Sequence, residues 1–380
     1  MYLKTLYLHN FRNYLEQSVE FEQQKTILLG NNAQGKSNIL EAVELLATLK
    51  SHRTNRDRDL IFEGKKTGQI LGNIERTYGK SDLSIILRSP GRRTLSLNQE
   101  NLHRHLEFLG SINVVVFSSL DLDLVRGSPD VRRSWLDTLL VQLEPIYTHI
   151  LHEYYKVLRQ RNALLKKLRK KVTGEKIDAN PAFQISQLSL WDQQLVEIGS
   201  RVTRRRARVI KRLVSLAQTW HKNISGRREF LEITYLPNIL CDSDDPTQVK
   251  QAFLDKIEQH RIAEQQLGTS LVGPHRDDVR FTINQASAKS SGSQGQQRTL
   301  VLSLKLSELQ LIEEVIGESP LLLLDDVLAE LDPNRQNQLL GAIQGRFQTL
   351  ITTTHLHSFN AQWLQSSQIL KVKAGKVSFC

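Results

Sequence analysis

The sequence predicts a mixed α/β fold in which a sheet-bearing head is split by a helical lobe with a short antiparallel helical arm. Three observations carry that expectation. A strand-like run at residues 26–29 passes directly into the glycine-rich string Gly30-Asn31-Asn32-Ala33-Gln34-Gly35-Lys36-Ser37. Near the other end, the unbroken apolar run Leu321-Leu322-Leu323-Leu324 stops at Asp325-Asp326, as a strand buried on both faces would. Between them, apolar residues recur at helical spacings of three and four over two long stretches.

In chain order, Leu3, Leu6, Leu8 and Phe11 make a strand-like opening. After the glycine-rich loop, Ile39, Leu40, Val43 and Leu46 share one face of a helix over 38–49. Short alternating runs around 70–74, 83–87 and 95–97 read as antiparallel strands, and 113–117 as a buried strand. A helix over 147–171 carries Ile150, Tyr154, Val157, Leu164 and Leu168 on one stripe. From Leu188, the residues Trp191, Leu195, Ile198, Val202, Val209, Leu213, Leu216 and Trp220 follow a heptad seam, with one register position lost to Arg205 or Arg206. The polar link at 172–181, with Gly174 and Pro181, lets the two helices turn back on one another. A helix of about 30 residues spans only about 45 Å, so this is a protrusion and not a long rod. Then come a long helix over 293–317, strands over 321–324 and 349–354, and a hairpin over 367–379 turning at Ala374-Gly375. The expected division is one lobe from 1–120 with 300–380, and a second lobe, bearing the arm, from 121–299.

Composition narrows the class. The 380 residues are 39% hydrophobic and 24% charged, ordinary for a globular chain, and no apolar run approaches a membrane span. Met1 leads straight into the first strand with no charged-then-apolar leader, so a cytoplasmic protein is expected. Cys241 and Cys380 form no C-x-x-C pair, which points away from a zinc knuckle or redox dithiol. A net charge of +11 invites a polyanionic partner.

The loop at 30–37 fits G-x-x-x-x-G-K-[ST], in which backbone amides and a helix N-terminus cradle phosphates. Gly30, Asn31, Asn32, Ala33, Gln34, Gly35, Lys36, Ser37 and Asn38 are the expected ATP-binding set. Lys36 would reach the β- and γ-phosphates, and Ser37 would coordinate Mg²⁺ together with Asp325 at the end of the apolar strand. Asp326 is placed to orient an attacking water. Ser293, Gln294, Gly295 and Gln296 open a helix upstream of that strand. They read both as a capping box and as a signature motif that binds the γ-phosphate held by a second copy. Ala329-Glu330-Leu331-Asp332 occupies the D-loop position, and His355, after Thr352-Thr353-Thr354, the position of a switch histidine. Lys36, Asp325, Asp326 and His355 are thus the catalytic candidates. This order of motifs is that of an ABC-class ATPase head split by an insertion, whose signature and P-loop lie on different lobes. An ATP-dependent homodimer follows from it.

Further strings resemble the RecF family specifically. They are Asn10-Phe11-Arg12-Asn13-Tyr14, Lys50-Ser51-His52-Arg53-Thr54, Leu124-Val125-Arg126-Gly127-Ser128-Pro129, Gln160-Arg161-Asn162-Ala163-Leu164-Leu165, Gly273-Pro274-His275-Arg276-Asp277-Asp278 and Ser293-Gln294-Gly295-Gln296-Gln297-Arg298. The resemblance implies a slow, DNA-dependent ATPase of recombinational repair. It would bind double-stranded DNA beside single-stranded gaps and, with RecR and RecO, help load RecA. One departure is plain: where the family has a proline–glutamate–aspartate–leucine run, this chain reads Ser118-Ser119-Leu120-Asp121-Leu122, leaving Asp121 as the Q-loop candidate.

Two basic stretches are candidates for DNA contact. One is the loop 50–59, with Arg53 and Arg56, whose alternative is a solvated charged loop. The other is the outer face of the arm, with Arg204, Arg205 and Arg208, in a run over 201–212 that holds no carboxylate. An acidic surface on RecR or on the same chain is the alternative there. The 273–278 string reads as an ion-paired turn in preference to a metal site. The competing whole-chain reading is another head of the SMC or coiled-coil repair type, against which the arm's shortness and lack of C-x-x-C count. A nuclease of this kind would need an acidic metal-binding domain after Asp326, and a transporter subunit no basic arm.

Overall fold

The computed structural model describes residues 1–54, 56–172, 181–241, 243–357 and 359–379, and the side chains of these outside 170–185. In chain order the first elements are β1 (Tyr2–Phe11), β2 (Tyr14–Glu20), β3 (Lys25–Leu29), α1 (Lys36–Thr48), β4 (Thr67–Arg76), β5 (Gly79–Arg88), β6 (Thr94–Leu97), β7 (Glu100–Leu102), α2 (His105–Phe108) and β8 (Val114–Ser118). The middle holds α3 (Asp123–Arg126), α4 (Pro129–Leu143), α5 (Ile146–Val172), α6 (Pro181–Ile224), β9 (Leu231–Leu236), α7 (Pro246–Leu267), β10 (Asp278–Ile283) and β11 (Ala286–Ser287). The chain ends with α8 (Gln294–Ile316), β12 (Leu321–Asp325), α9 (Pro333–Ile343), β13 (Thr349–Thr353), α10 (Ala361–Gln365), β14 (Gln368–Lys373) and β15 (Lys376–Phe379).

The head has two six-stranded sheets. One is antiparallel, in the order β2-β1-β4-β5-β6-β7. The other runs β15-β14-β3-β13-β12-β8 and is parallel except for its edge strand β15. Alternate residues of the parallel strands enter different cores. Leu28, Leu321, Leu323 and Leu350 pack toward the antiparallel sheet and α1, while Ile27, Leu322, Leu324 and Ile351 pack toward α8 and the helical lobe. Both faces are covered, so these strands read as unbroken apolar runs in place of the alternation seen in β4 and β5.

The helical lobe differs from expectation in its arm. The second helix, α6, has 44 residues, longer than the seam beginning at Leu188 indicated, because Pro181 stands at its first position and does not close a link. Most of the link at 172–181 lies outside the described residues. Helix α6 packs on α5, α7, α8 and β9, so its second half is embedded in the lobe. Among the described residues, a small separate cluster of Leu164, Leu165 and Leu188, with Leu168 and Trp191 against it, belongs to the arm proper. The lost seam position is Arg206, whose side chain is 1% exposed. The boundary expected between residues 299 and 300 falls inside the unbroken α8, which packs along α6.

Candidate functional site

Parallel pairing sets the ends of four strands level. Asp325 of β12 is opposite Thr352 of β13 and Ser118 of β8, and Thr353 is opposite Leu29 of β3. The loops leaving those ends therefore share one edge of the sheet, the edge where open α/β sheets bind ligands. The turn into α1 uses left-handed backbone at Ala33 (φ 62°) and Gly35 (φ 114°). Asn31, Asn32 and Ala33 are exposed, whereas Lys36 is buried and donates from Nζ to Gly30 O (2.9 Å) and Asn31 O (3.1 Å).

At the foot of the loop, Ser37 Oγ donates to Asp325 Oδ1 at 2.7 Å, and Thr352 Oγ1 donates to the same oxygen at 2.8 Å. These are hard oxygen donors of the kind Mg²⁺ takes. Asp326 follows in left-handed backbone (φ 54°), with its amide bonded to Thr352 Oγ1 at 2.8 Å. Burial raises its pKa and the Asp325 charge adds to that, against the opposing pull of Lys36. In sequence Thr352 is one of three threonines in the five-residue buried strand Thr349–Thr353, so nothing there singles it out; its pairing opposite Asp325 does. His355 is exposed, its backbone is bonded to Thr353 Oγ1, and its ring lies 5.4 Å from that of His357. Among the described residues its ring makes no hydrogen bond to the loop or to Asp325 and Asp326.

Ser293 caps α8 by a reciprocal box: Gln296 N donates to Ser293 Oγ (3.2 Å) and Ser293 N to Gln296 Oε1 (2.9 Å). Ser293 and Gln294 are accessible, and Gly295 backs onto Arg335, where an added Cβ would lie 3.3 Å from Nη2. Arg335 of α9 also donates to Thr299 Oγ1 (2.7 Å) and pairs with Asp332, so the helix after the D-loop is pinned to the start of α8. No hydrogen bond among the described residues joins 293–296 to 30–38.

Several of the candidate residues have protein partners. Arg53, a DNA candidate, turns onto the loop helix and donates to Asn38 Oδ1 at 2.7 Å, with Glu41 Oε2 at 3.4 Å. Glu41 is fully buried and also takes a two-pronged contact from Arg12 (2.6 and 2.8 Å) and the Ser51 hydroxyl (2.5 Å). Arg56 is exposed. On the arm, the premise of uncompensated cations fails. Arg204 and Arg208 share Asp244 (3.0 and 2.6 Å), and Arg205 pairs with Glu144 (2.9 Å). The carboxylates come from other segments, which no search along one helix finds. Asp121 accepts from Ser118 N (2.6 Å) and pairs with Lys305 (2.9 Å), which in turn meets Glu308. Burial alone would lower the Lys305 pKa, but the two carboxylates outweigh it and raise it. The 273–278 string is an ion-paired turn: Asp277 meets Arg206 and Asp278 meets Arg132.

Comparison with known proteins shows the family and the fold. The family model described as the RecF/RecN/SMC N terminal domain matches residues 2–378. The DNA replication and repair protein RecF of Rippkaea orientalis is 76% identical over 380 residues, with both chains fully covered. Its counterpart in Crocosphaera subtropica is 72% identical over 378 residues, again with full coverage. A solved structure of the recombination mediator protein RecF with ATP, in the RecFOR pathway, superposes with a TM-score of 0.89 at 31% identity, covering 100% of this chain and 97% of that one. An Smc head domain from Pyrococcus furiosus shares the fold at a TM-score of 0.53 and 14% identity, covering 100% of this chain and 96% of that one.

Proposed function

The chain belongs to the RecF family of DNA replication and repair proteins, and from that premise we propose that it is an ATP-gated switch on duplex DNA beside single-stranded gaps. The observation that carries the reading is the meeting of Ser37 and Asp325 at 2.7 Å beneath a glycine loop, with no hydrogen bond among the described residues joining that loop to the capped start of α8. The amides of 30–38 and Lys36 bind the phosphates of ATP. Ser37 and Asp325 would hold Mg²⁺, which when bound would supply charge neutralisation at the phosphates of ATP. Asp326, its pKa raised by burial, orients the attacking water and accepts its proton. Aspartate is one methylene shorter than glutamate, which favours slow turnover.

Ser293 and Gly295 present an open helix start and an anion site to the γ-phosphate held by a second copy, so two chains close two sites. His355, at the end of the strand between β3 and β12, then faces the γ-phosphate bound by its own chain's loop in the closed dimer. The switch acts in the cytoplasm on gapped DNA, with RecR and RecO, in RecA loading, and hydrolysis resets it. No helix among the described residues is long and apolar enough to cross a membrane. Sizing the protein with and without ATP and gapped DNA tests the reading. The wild type should grow to a dimer with ATP, and Lys36→Met should bind no ATP and stay monomeric. Normal ATP binding by Lys36→Met would overturn it.

A further inference from the structure

Two segments that carry no nucleotide motif hold the glycine loop from outside. The first is the tip of the C-terminal hairpin between β14 and β15. Ala374 N donates to Gln34 Oε1 at 2.8 Å, and Gly375 N donates to the Gln34 carbonyl at 3.1 Å. The second is the turn between β1 and β2. Asn13 Nδ2 donates to the same Gln34 carbonyl at 2.9 Å, while Asn13 Oδ1 accepts from Asn38 Nδ2 at 2.8 Å. Tyr14, fully buried, donates from its hydroxyl to Gly35 O at 3.0 Å.

The fit is backbone on backbone. A Cβ on Gly375 would lie 2.2 Å from Asn13 O, one on Gly30 2.3 Å from Val372 O, and one on Gly35 2.7 Å from Asn13 Nδ2. Ala374 (φ 46°) and Gly375 (φ 72°) are both left-handed, the conformation a two-residue hairpin turn needs to aim two successive amides the same way. The glycines at 30 and 35 are thus required by the approach of β14 and Asn13, in addition to any approach of phosphate.

A loop that must converge its amides on an anion loses conformational freedom on binding, and contacts made beforehand reduce that loss. Gln34 sits mid-loop, between the exposed Asn31–Ala33 stretch and Lys36, and it is the residue both outside segments grip. We infer that Asn13, Gln34 and the Ala374-Gly375 turn are positioning residues that preorganise the loop for nucleotide, so that the C-terminal hairpin and the nucleotide stabilise one another through it. The inference rests on the reading of residues 30–38 as an ATP loop. Because coupling of binding free energies is reciprocal, nucleotide must tighten the hairpin as much as the hairpin tightens nucleotide.

The test is hydrogen exchange on the full chain with and without ATP and Mg²⁺, paired with ATP titration of Asn13→Ala and Gly375→Ala. ATP should slow exchange at the Ala374 and Gly375 amides as well as in the loop. Asn13→Ala removes two hydrogen bonds to the loop and Gly375→Ala drives a Cβ to 2.2 Å from Asn13 O, so each variant should weaken ATP binding by at least about twofold to tenfold, the range for a single hydrogen bond, while turnover at saturating ATP stays near the wild-type value. Protection confined to residues 30–38, with the hairpin unchanged, would overturn the inference and leave the ATP reading intact. Unchanged ATP affinity in both variants would also overturn it. No protection in the loop itself would remove the ATP reading, and this inference with it.

Discussion

Arg206→Leu should severely destabilise the helical lobe. The arginine donates from Nε and Nη2 to the two oxygens of Asp137 (2.9 Å each), and from Nη1 to Asp277 Oδ2 (3.0 Å) and Pro274 O (2.6 Å). Leucine suits the seam between Val202 and Val209, so packing is largely kept. Two buried carboxylates are then left without a cation. Asp137 keeps the Tyr147 hydroxyl (2.6 Å), and Asp277 keeps Tyr235 and the Asn238 amide (2.7 Å). Breaking one side of a buried ion pair costs about 3–5 kcal/mol, a large part of the roughly 5–15 kcal/mol that holds a domain folded. Urea unfolding followed by tryptophan fluorescence reads this directly, because Trp135, Trp191 and Trp220 lie in the helical lobe and only Trp363 in the head. Adding Asp137→Asn and Asp277→Asn should recover much of the loss, since no stranded charge remains. A loss below about 1 kcal/mol, the worth of an exposed pair, would mean that water solvates the cluster and would refute the burial argument.

Other consequences are open to measurement. Burial, with help from Arg276, Arg133 and Arg161, holds the His275 pKa down to about 4 against the lift of its bond to Ser270 O. The folded state then binds fewer protons than the unfolded one, so this contribution is present above pH ~6.5 and is lost as pH falls toward ~4, by on the order of 3 kcal/mol. His275→Gln should therefore show a shallower fall in stability over that window, and equal slopes would exclude the assignment. Asp244→Asn frees Arg204 and Arg208. If the arm meets duplex DNA, affinity should rise and the log–log salt slope steepen by about one unit for each further phosphate neutralised; unchanged values would move the DNA surface elsewhere.

What is legible in the sequence is chemistry contained in short runs or in one periodicity. The glycine loop, the aspartate-ended strand and the Ser293 cap depend on neighbours within a few residues, and each stands where its residues predict. The heptad seam is equally plain, yet whether Arg205 or Arg206 interrupts it stays open in sequence, because that depends on what faces the helix. Asp137 and Asp277, from α4 and the turn before β10, decide it. Pro181 reads as the end of a link because its two roles, closing a turn and opening a helix, look alike in sequence. The grip of Asn13 and the hairpin on Gln34 is invisible there for a stronger reason. Its donors are mostly backbone amides, which every residue but proline carries, joined across |i−j| = 340 for Ala374.

The arm shows where a local charge argument goes wrong. The absence of a carboxylate within 201–212 suggests uncompensated repulsion, but compensation arrives through Asp244 and Glu144. Pairing fixes where these guanidinium groups point and lowers their readiness to leave for a phosphate. It does not erase the field. Two arginines on one aspartate still leave one positive charge, and the exposed Arg201 and Lys211 flank them. A polyanion that is farther off than the spacing of these charges, yet still within about a Debye length, responds to their sum, and the chain's sum is +11. Steering of DNA to this face therefore needs no unpaired arginine. Close contact with a phosphate does, because Asp244 and the phosphate compete for the same donors, and that competition is what Asp244→Asn removes.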